Sequence, residues 1–299
     1  MVKSAVLVMA YGTPERLEDV EPYYTHIRRG SPPPANLLAE LVSRYEAVGG
    51  PTALNRITRA QADGLALALA GNGHDVPVYI GFKHVAPFVG ETVRRMAVDG
   101  IDRAIGLVLA PHYSLRSIAE YSHYAEEARP AGFKLDVIRS WHDHPLLVAY
   151  LAARLREALG RAGGSPPVVF TAHSVPARVI EEGDPYADQL RETSELVAAA
   201  AGVGRWQFAF QSAGRTADPW LGPDVLEVIG AIADGGDRAV VVQAVGFVAD
   251  HLEILYDLDI EARRAAESRG LSFTRAAMPN DDPDFIGVLA RVVEARLLP

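Results

Sequence analysis

Three short segments recur, in the same order, in the two halves of this chain. Ala10-Tyr11-Gly12-Thr13-Pro14 matches Ala172-His173-Ser174-Val175-Pro176, each directly after an apolar run. Asp99-Gly100-Ile101-Asp102-Arg103-Ala104 matches Asp234-Gly235-Gly236-Asp237-Arg238-Ala239, each opening another apolar run. Trp141-His142-Asp143-His144-Pro145 matches Pro279-Asn280-Asp281-Asp282-Pro283, each ahead of a helix-periodic stretch. One match of this length carries little. Three in order, with similar spacing between them, argue for a duplicated α/β unit. Each half reads as βα repeats with four parallel strands joined by right-handed crossovers. The boundary falls at Gly163-Gly164-Ser165-Pro166-Pro167, dividing 1–163 from 164–299. The two sheets face each other across a cleft, with Tyr11 on one wall and His173 on the other.

The expected strands are Ala5–Ala10, Val78–Phe82, Ala104–Ala110 and Leu135–Ile138 in the first half, with Val168 onward and Ala239–Val245 in the second. Helical periodicity marks Asn36–Ala47, Ile57–Leu69, Phe88–Val98, Ser117–Ala128 and Leu146–Leu159. Gly71-Asn72-Gly73 closes a helix and precedes a strand, the reverse of a dinucleotide fingerprint. From Pro14 to Phe82 the chain is much longer than from Pro176 to Phe210, and the surplus is roughly Pro22–Pro51. An insertion there tends to form a lid over the site.

Composition narrows the function. The chain has 299 residues, 49% of them hydrophobic, enough for a large core. Its net charge of -9 argues against a nucleic-acid partner. No apolar run reaches the roughly 18–20 residues of a membrane span, so no integral membrane contact is expected. The opening run after Lys3 reads as a strand rather than a signal peptide, and the cytoplasm is the expected compartment. No exposed apolar face stands out, so a monomer is expected. The absence of cysteine excludes disulfides, thiolate metal sites and Cys-ligated iron–sulfur clusters.

The chemistry gathers at two strand ends. Val168–Pro176 reads as a buried parallel strand that delivers His173 to its C-terminal end, where Ser174 and Pro176 stop it. Ligands of open α/β sheets sit beyond those ends. The plain alternative is a loop histidine satisfied by a backbone carbonyl. Ala239–Val245 leads through Gly246-Phe247 into Val248–Glu261, where Glu253, Asp257 and Glu261 fall at i, i+4 and i+8 on a helix. Stacked like charges cost helix stability, and cation binding is one reason to keep them. A solvated face of an acidic protein is the other. One imidazole and one carboxylate make an incomplete metal site, suited to handing a metal on, and the pair can accept protons. Arg28-Arg29, with Arg44, Thr52 and Lys83, points to an anionic small molecule, or else to a solvated basic turn. Tyr23, Tyr24, Tyr45, Tyr113, Tyr121 and Tyr124 favour a flat conjugated ligand, or ordinary packing.

Together these residues resemble the ferrochelatases over essentially the whole chain. The likeness rests on M-A-Y-G-T-P (Met9–Pro14), Y-T-H-I-R-R-G (Tyr24–Gly30), R-Y-E-A-V-G-G (Arg44–Gly50) and L-A-P-H-Y-S (Leu109–Ser114). It continues through T-A-H-S-V-P, G-D-P-Y (Gly183–Tyr186), Q-S-A-G-R-T-A-D-P-W-L-G-P (Gln211–Pro223) and V-G-F-V-A-D-H-L-E (Val245–Glu253). It is most similar to the soluble, cluster-free branch that acts on coproporphyrin III.

The resemblance implies two similar Rossmann-like domains of the chelatase kind, each a four-stranded parallel sheet flanked by helices, with terminal helices able to pack across. It implies Fe2+ and coproporphyrin III as substrates and no resident cofactor. His173 and Glu253 would hold the incoming iron, and Tyr11 would lie against the opposite macrocycle face. Arg28, Arg44, Tyr45, Thr52 and Tyr121 would line the porphyrin pocket. Asp257 and Glu261 would carry metal or protons along the ridge. Thr52 stands where Ser is commoner, which keeps the hydroxyl. Competing expectations are a protoporphyrin IX ferrochelatase, a cobalt chelatase for a precorrin-like ring, a haem or metal carrier without turnover, and an α/β scaffold with an empty cleft. The Arg-bearing, Pro-rich insertion favours the ring with more carboxylates.

Overall fold

Every apolar run marked in the sequence forms a strand, and the strands fall into two sheets of identical order. The computed structural model describes residues 3–214 and 218–297, so Arg215-Thr216-Ala217 of the Gln211–Pro223 motif lie outside the described residues. The first sheet holds β1 (Ser4–Ala10), β2 (Val78–Phe82), β3 (Arg103–Val108) and β4 (Lys134–Ile138), in the order β2-β1-β3-β4. The second holds β5 (Val168–His173), β6 (Trp206–Gln211), β7 (Ala239–Ala244) and β8 (Ser272–Arg275), in the order β6-β5-β7-β8. All pairs are parallel. In each sheet the connections diverge between the first strand and the third. That switch point is where an open parallel sheet leaves a crevice.

The helices are α1 (Val20–Ile27), α2 (Ala35–Ala47), α3 (Leu54–Gly71), α4 (Val89–Val98), α5 (Ile118–Ala128) and α6 (Pro145–Ala162), then α7 (Arg178–Glu181), α8 (Tyr186–Ala201), α9 (Val225–Asp234), α10 (Arg263–Glu267) and α11 (Pro283–Leu297). Outer faces are covered by α4 and α5 on the first sheet and by α9 and α10 on the second. The facing sides share one continuous apolar cluster containing Val6, Ile105, Leu155, Phe170, Phe285 and Leu289, all buried. Helix α6 packs on α8 and β8, and α11 packs on α3. The last helix of each half therefore lies against the other half.

The insertion Pro22–Pro51 folds as most of α1 together with α2, which pack on each other. The third strand stops at Val108 rather than Ala110, with the donorless Pro111 close behind. A larger departure follows β7. The helix expected from Val248 begins only at Glu253, and the Asp250 N–H in the loop before it donates to Asn280 Oδ1 at 2.8 Å. From Glu253 to Ala262 the chain is a π-helix rather than an α-helix. Its i→i+5 bonding widens each turn, so residues four apart still share a face. Among the described residues no helix is long and apolar enough to cross a membrane.

Candidate active site

His173 is the last residue of β5, and Glu253 is the first residue of the π-helix after β7. The two neighbouring strands of the switch point thus deliver both. Gly246 makes the crossing possible, since a Cβ there would lie 2.5 Å from the Cβ of Ala172. His173 Nδ1 lies 3.0 Å from Glu253 Oε2, and each side chain is 35% exposed, to the cleft. The His173 carbonyl accepts the Tyr186 hydroxyl at 3.2 Å, and the ring meets Trp220 edge-on at 6.3 Å. The imidazole is therefore fixed in place and direction, and its Nε2 has no protein partner among the described residues. Burial works against charge on His173, but Glu253 outweighs it and raises the pKa. Burial likewise resists ionisation of Glu253, and His173 and then His251 outweigh it and hold the carboxylate well below its usual range. The pairing thus favours a charged imidazole beside an ionised Glu253. Among the described residues no group of three or more His, Cys, Asp or Glu is placed to hold a metal ion.

The ridge continues from Glu253 to Asp257 and the half-buried Glu261. Asp257 is almost fully enclosed and accepts a hydrogen bond from the Ser212 hydroxyl. Ser212 sits at φ 60, a left-handed conformation unusual for serine, and such strain collects at functional sites. Arg44 Nη1 reaches Asp257 Oδ1 at 3.4 Å from α2, across the cleft, while Nη2 holds Glu40 at 3.1 Å. Burial and the nearby Glu253 push the Asp257 pKa up to about 6, against the pull of Ser212 and Arg44.

Tyr11 follows β1 on the opposite wall and is 43% exposed. Its ring lies 4.5 Å from that of His84, and Lys83 Nζ stands 5.7 Å from its centroid. Desolvation by the cleft walls around it, then Glu253 and Glu120, push the hydroxyl pKa upward. Tyr11 is therefore a neutral phenol at physiological pH. His84 is also neutral, its pKa lowered to about 3 by burial, Lys83 and His26. Gly12 turns the chain at φ +85, where a Cβ would strike Val85 Cγ2 at 2.5 Å. Thr13 is pinned below by Asn55 (3.0 Å) and the Tyr45 hydroxyl (3.0 Å).

The sequence-derived residues divide on this frame. His173, Glu253 and Asp257 come together with Arg44 at the cleft. Tyr45 and Tyr121 are 2% and 4% exposed, under Thr13 and Lys83 respectively, so they form a floor and present little face of their own. Thr52 is half-buried with its hydroxyl enclosed and unpartnered. Arg28 is exposed at the tip of α1 and bonds Ser31 O at 3.3 Å. A cavity of about 610 Å³ along the Tyr11 wall takes in Arg29, His26, Lys83, Arg94 and Tyr124 instead of Arg28, and it does not reach His173 or Glu253. Ser212, His251 and Glu120 had no role in the sequence analysis. His251 Nε2 lies 3.7 Å from Glu253, and Glu120 joins Lys83 (2.5 Å) to Arg29 (3.3 Å). Only the adjacency of His251 to Glu253 could have drawn attention; the others are brought in by folding.

A family model described as Ferrochelatase matches residues 3–297. The Ferrochelatase of Thermus thermophilus is 46% identical, across 97% of this chain and 98% of that protein. The Coproporphyrin III ferrochelatase of Anoxybacillus flavithermus is 44% identical, across 96% and 94%. That of Bacillus subtilis (strain 168) is 42% identical, across 99% and 98%. Among solved structures, the sirohydrochlorin chelatase SirB from Bacillus subtilis subspecies spizizenii in complex with cobalt superposes with a TM-score of 0.60 at 11% identity. It covers 100% of this chain and is itself covered to 97%, which speaks for the fold.

Proposed function

The chain belongs to the ferrochelatase family, and from that premise we propose that it inserts Fe2+ into coproporphyrin III. The observation that carries this at the residue level is the His173–Glu253 pair, 3.0 Å apart at the switch point of one sheet and facing the Tyr11 wall of the other. Iron is a substrate here, and no resident cofactor is assigned. The protein acts as a monomer in the cytoplasm.

The reaction needs three things from the chain. Iron must be held loosely and stripped of water. The ring must be held and bent so that its nitrogen lone pairs face the metal. Two N–H protons must leave. His173 and Glu253 receive the iron: two ligands bind without completing a coordination shell, which suits transfer over storage. Iron displaces the proton that the two share, because it needs the neutral imidazole and the free carboxylate. As the iron passes from the pair into the ring, the imidazole and carboxylate lone pairs it vacates take up the two ring protons, and Asp257, near half-ionised at about pH 6, passes them toward Glu261. Tyr11 closes the opposite face as a neutral ring. Arg28, Arg44 and Thr52, with Tyr45 and Tyr121 beneath, engage the ring and its carboxylates. Those remote contacts supply the bending, typically about 1–5 kcal/mol.

The test is anaerobic metallation. Purified protein is given Fe2+ with coproporphyrin III or with protoporphyrin IX, and loss of the free-base spectrum is followed. Much faster turnover of coproporphyrin is expected. Faster protoporphyrin turnover would overturn the substrate, and tight binding without metallation of either ring would overturn the enzyme.

A further inference from the structure

Glu253 opens the π-helix directly after a loop that belongs to no sheet or helix. Polar contacts to three other parts of the chain hold that loop. Asp250 is gripped at three points. Its N–H donates to Asn280 Oδ1 at 2.8 Å, its Oδ2 accepts from Asn280 Nδ2 at 2.8 Å, and its Oδ1 accepts from Arg275 Nη2 at 3.1 Å. The same guanidinium holds Asp259 by two parallel bonds, Nε to Oδ1 and Nη2 to Oδ2, each 2.8 Å. Arg275 therefore joins a residue just before Glu253 to one further along the π-helix, and brackets the metal-site carboxylate between them.

The bracket has a rigid base. Arg275 ends β8, its side chain is only 13% exposed, and the next residue stays tied to the sheet through Ala276 N to Val242 O at 2.8 Å. Asn280, at φ 47, donates its N–H to Val248 O at 3.0 Å. Its carbonyl accepts Gln61 Nε2 at 2.7 Å, and Gln61 also reaches Val248 O at 3.3 Å. Gln61 is buried on α3, in the other half of the molecule. The loop before Glu253 is thus referenced both to its own sheet and to the half that carries Tyr11.

We propose that Arg275 is a positioning residue for metal insertion: clamping Asp250 and Asp259 fixes the Glu253 carboxylate against His173, and Asn280 with Gln61 relates that position to the opposite wall. This rests on the iron-inserting role assigned above. A run of π-helix is an uncommon winding, found frequently at functional sites. A bidentate guanidinium supplies geometry as well as charge, and an ammonium on a flexible stem cannot hold both carboxylates the same way. Arg275 touches neither His173 nor Glu253, so its effect passes through the backbone.

The experiment uses the full chain with Arg275→Lys, Arg275→Gln and Asp259→Asn. Thermal unfolding is followed by circular dichroism, porphyrin binding by fluorescence quenching without metal, and metallation anaerobically with varied Fe2+. The expected variants unfold cooperatively and bind coproporphyrin III within about twofold of wild type. Their kcat/KM for Fe2+ falls on the order of tenfold to a hundredfold, as small misplacements of a reacting group do, with Lys milder than Gln. Unchanged kcat/KM for Fe2+, or porphyrin affinity lost in step with activity, would overturn the proposal. Amide hydrogen exchange decides the same point without turnover. Faster exchange confined to residues 250–259 is expected, and wild-type exchange there would overturn it. If the wild type metallates neither ring, the functional proposal falls, while the exchange result still judges the clamp.

Discussion

Replacing Asp257 by Asn should stabilise the protein at alkaline pH and cost it activity. Asp257 has an ordinary pKa of 3.8 and a folded value of about 6, raised by burial and by Glu253. A group with a raised folded pKa keeps its proton longer in the folded chain than in the unfolded one. Between the two values the folded state binds more protons, so stability falls as pH rises through that window. The gap of about two pKa units corresponds to about 3 kcal/mol once pH exceeds the folded pKa. About half of that is already lost at pH 5, and almost none at pH 3.5. Asn is neutral throughout and can still accept from Ser212, so it escapes the penalty. Urea denaturation of wild type and Asp257→Asn at pH 5 and pH 8 measures this. The variant should be more stable by about 3 kcal/mol at pH 8 and by about half as much at pH 5. A stability difference that is the same at both pH values, or a variant less stable at pH 8, would refute the reasoning. Retention of so costly a carboxylate fits a group kept for proton or metal traffic.

Three further outcomes follow from the same geometry. Glu253→Gln should lower the His173 pKa, since it removes the carboxylate charge 3.0 Å from the imidazole; an unchanged imidazole titration by NMR would contradict the pairing. Arg44→Met should cost about 1 kcal/mol in urea at pH 8 and less at pH 5, where its partner Asp257 is mostly uncharged; a loss that is larger at pH 5 would mean the contact is not an ion pair. Gly12→Ala should destabilise by about 1–3 kcal/mol, because a left-handed φ and the 2.5 Å approach to Val85 act together; an unshifted melting temperature would show that the turn relaxes.

The duplicated architecture was legible because strands announce themselves locally. β-branched runs ended by Gly, Ser and Pro mark β1 and β5, and the matched segments set the shared order. The placement of His173 and Glu253 was legible for the same reason: His173 ends one recognisable strand and Glu253 follows the loop after another, at the strand ends where open sheets leave a crevice. The π-helix was not. Ile254 and Leu258, four apart and both buried, suit either winding, so the apolar spacing carries no sign of the π form. Arg44 was placed in the ligand pocket on sequence grounds, but its salt bridge to Asp257 joins residues far apart in the chain. Arg275, Asn280 and Gln61 carry no local sign of acting together. One further symmetry escaped notice: Phe82 N–H bonds Pro87 O and Phe210 N–H bonds Pro223 O, each at 2.8 Å, ahead of α4 and α9. Neither segment resembles the other closely enough in sequence to reveal it.

The assignment of His173 as the residue that presents iron is open to one direct measurement. His173→Ala is mixed anaerobically with coproporphyrin III, its binding is measured by fluorescence quenching, and Fe2+ is then added while the metallated spectrum is followed. Porphyrin binding close to wild type with insertion abolished is the expected result. Insertion at the wild-type rate by a variant that binds porphyrin normally would contradict the assignment.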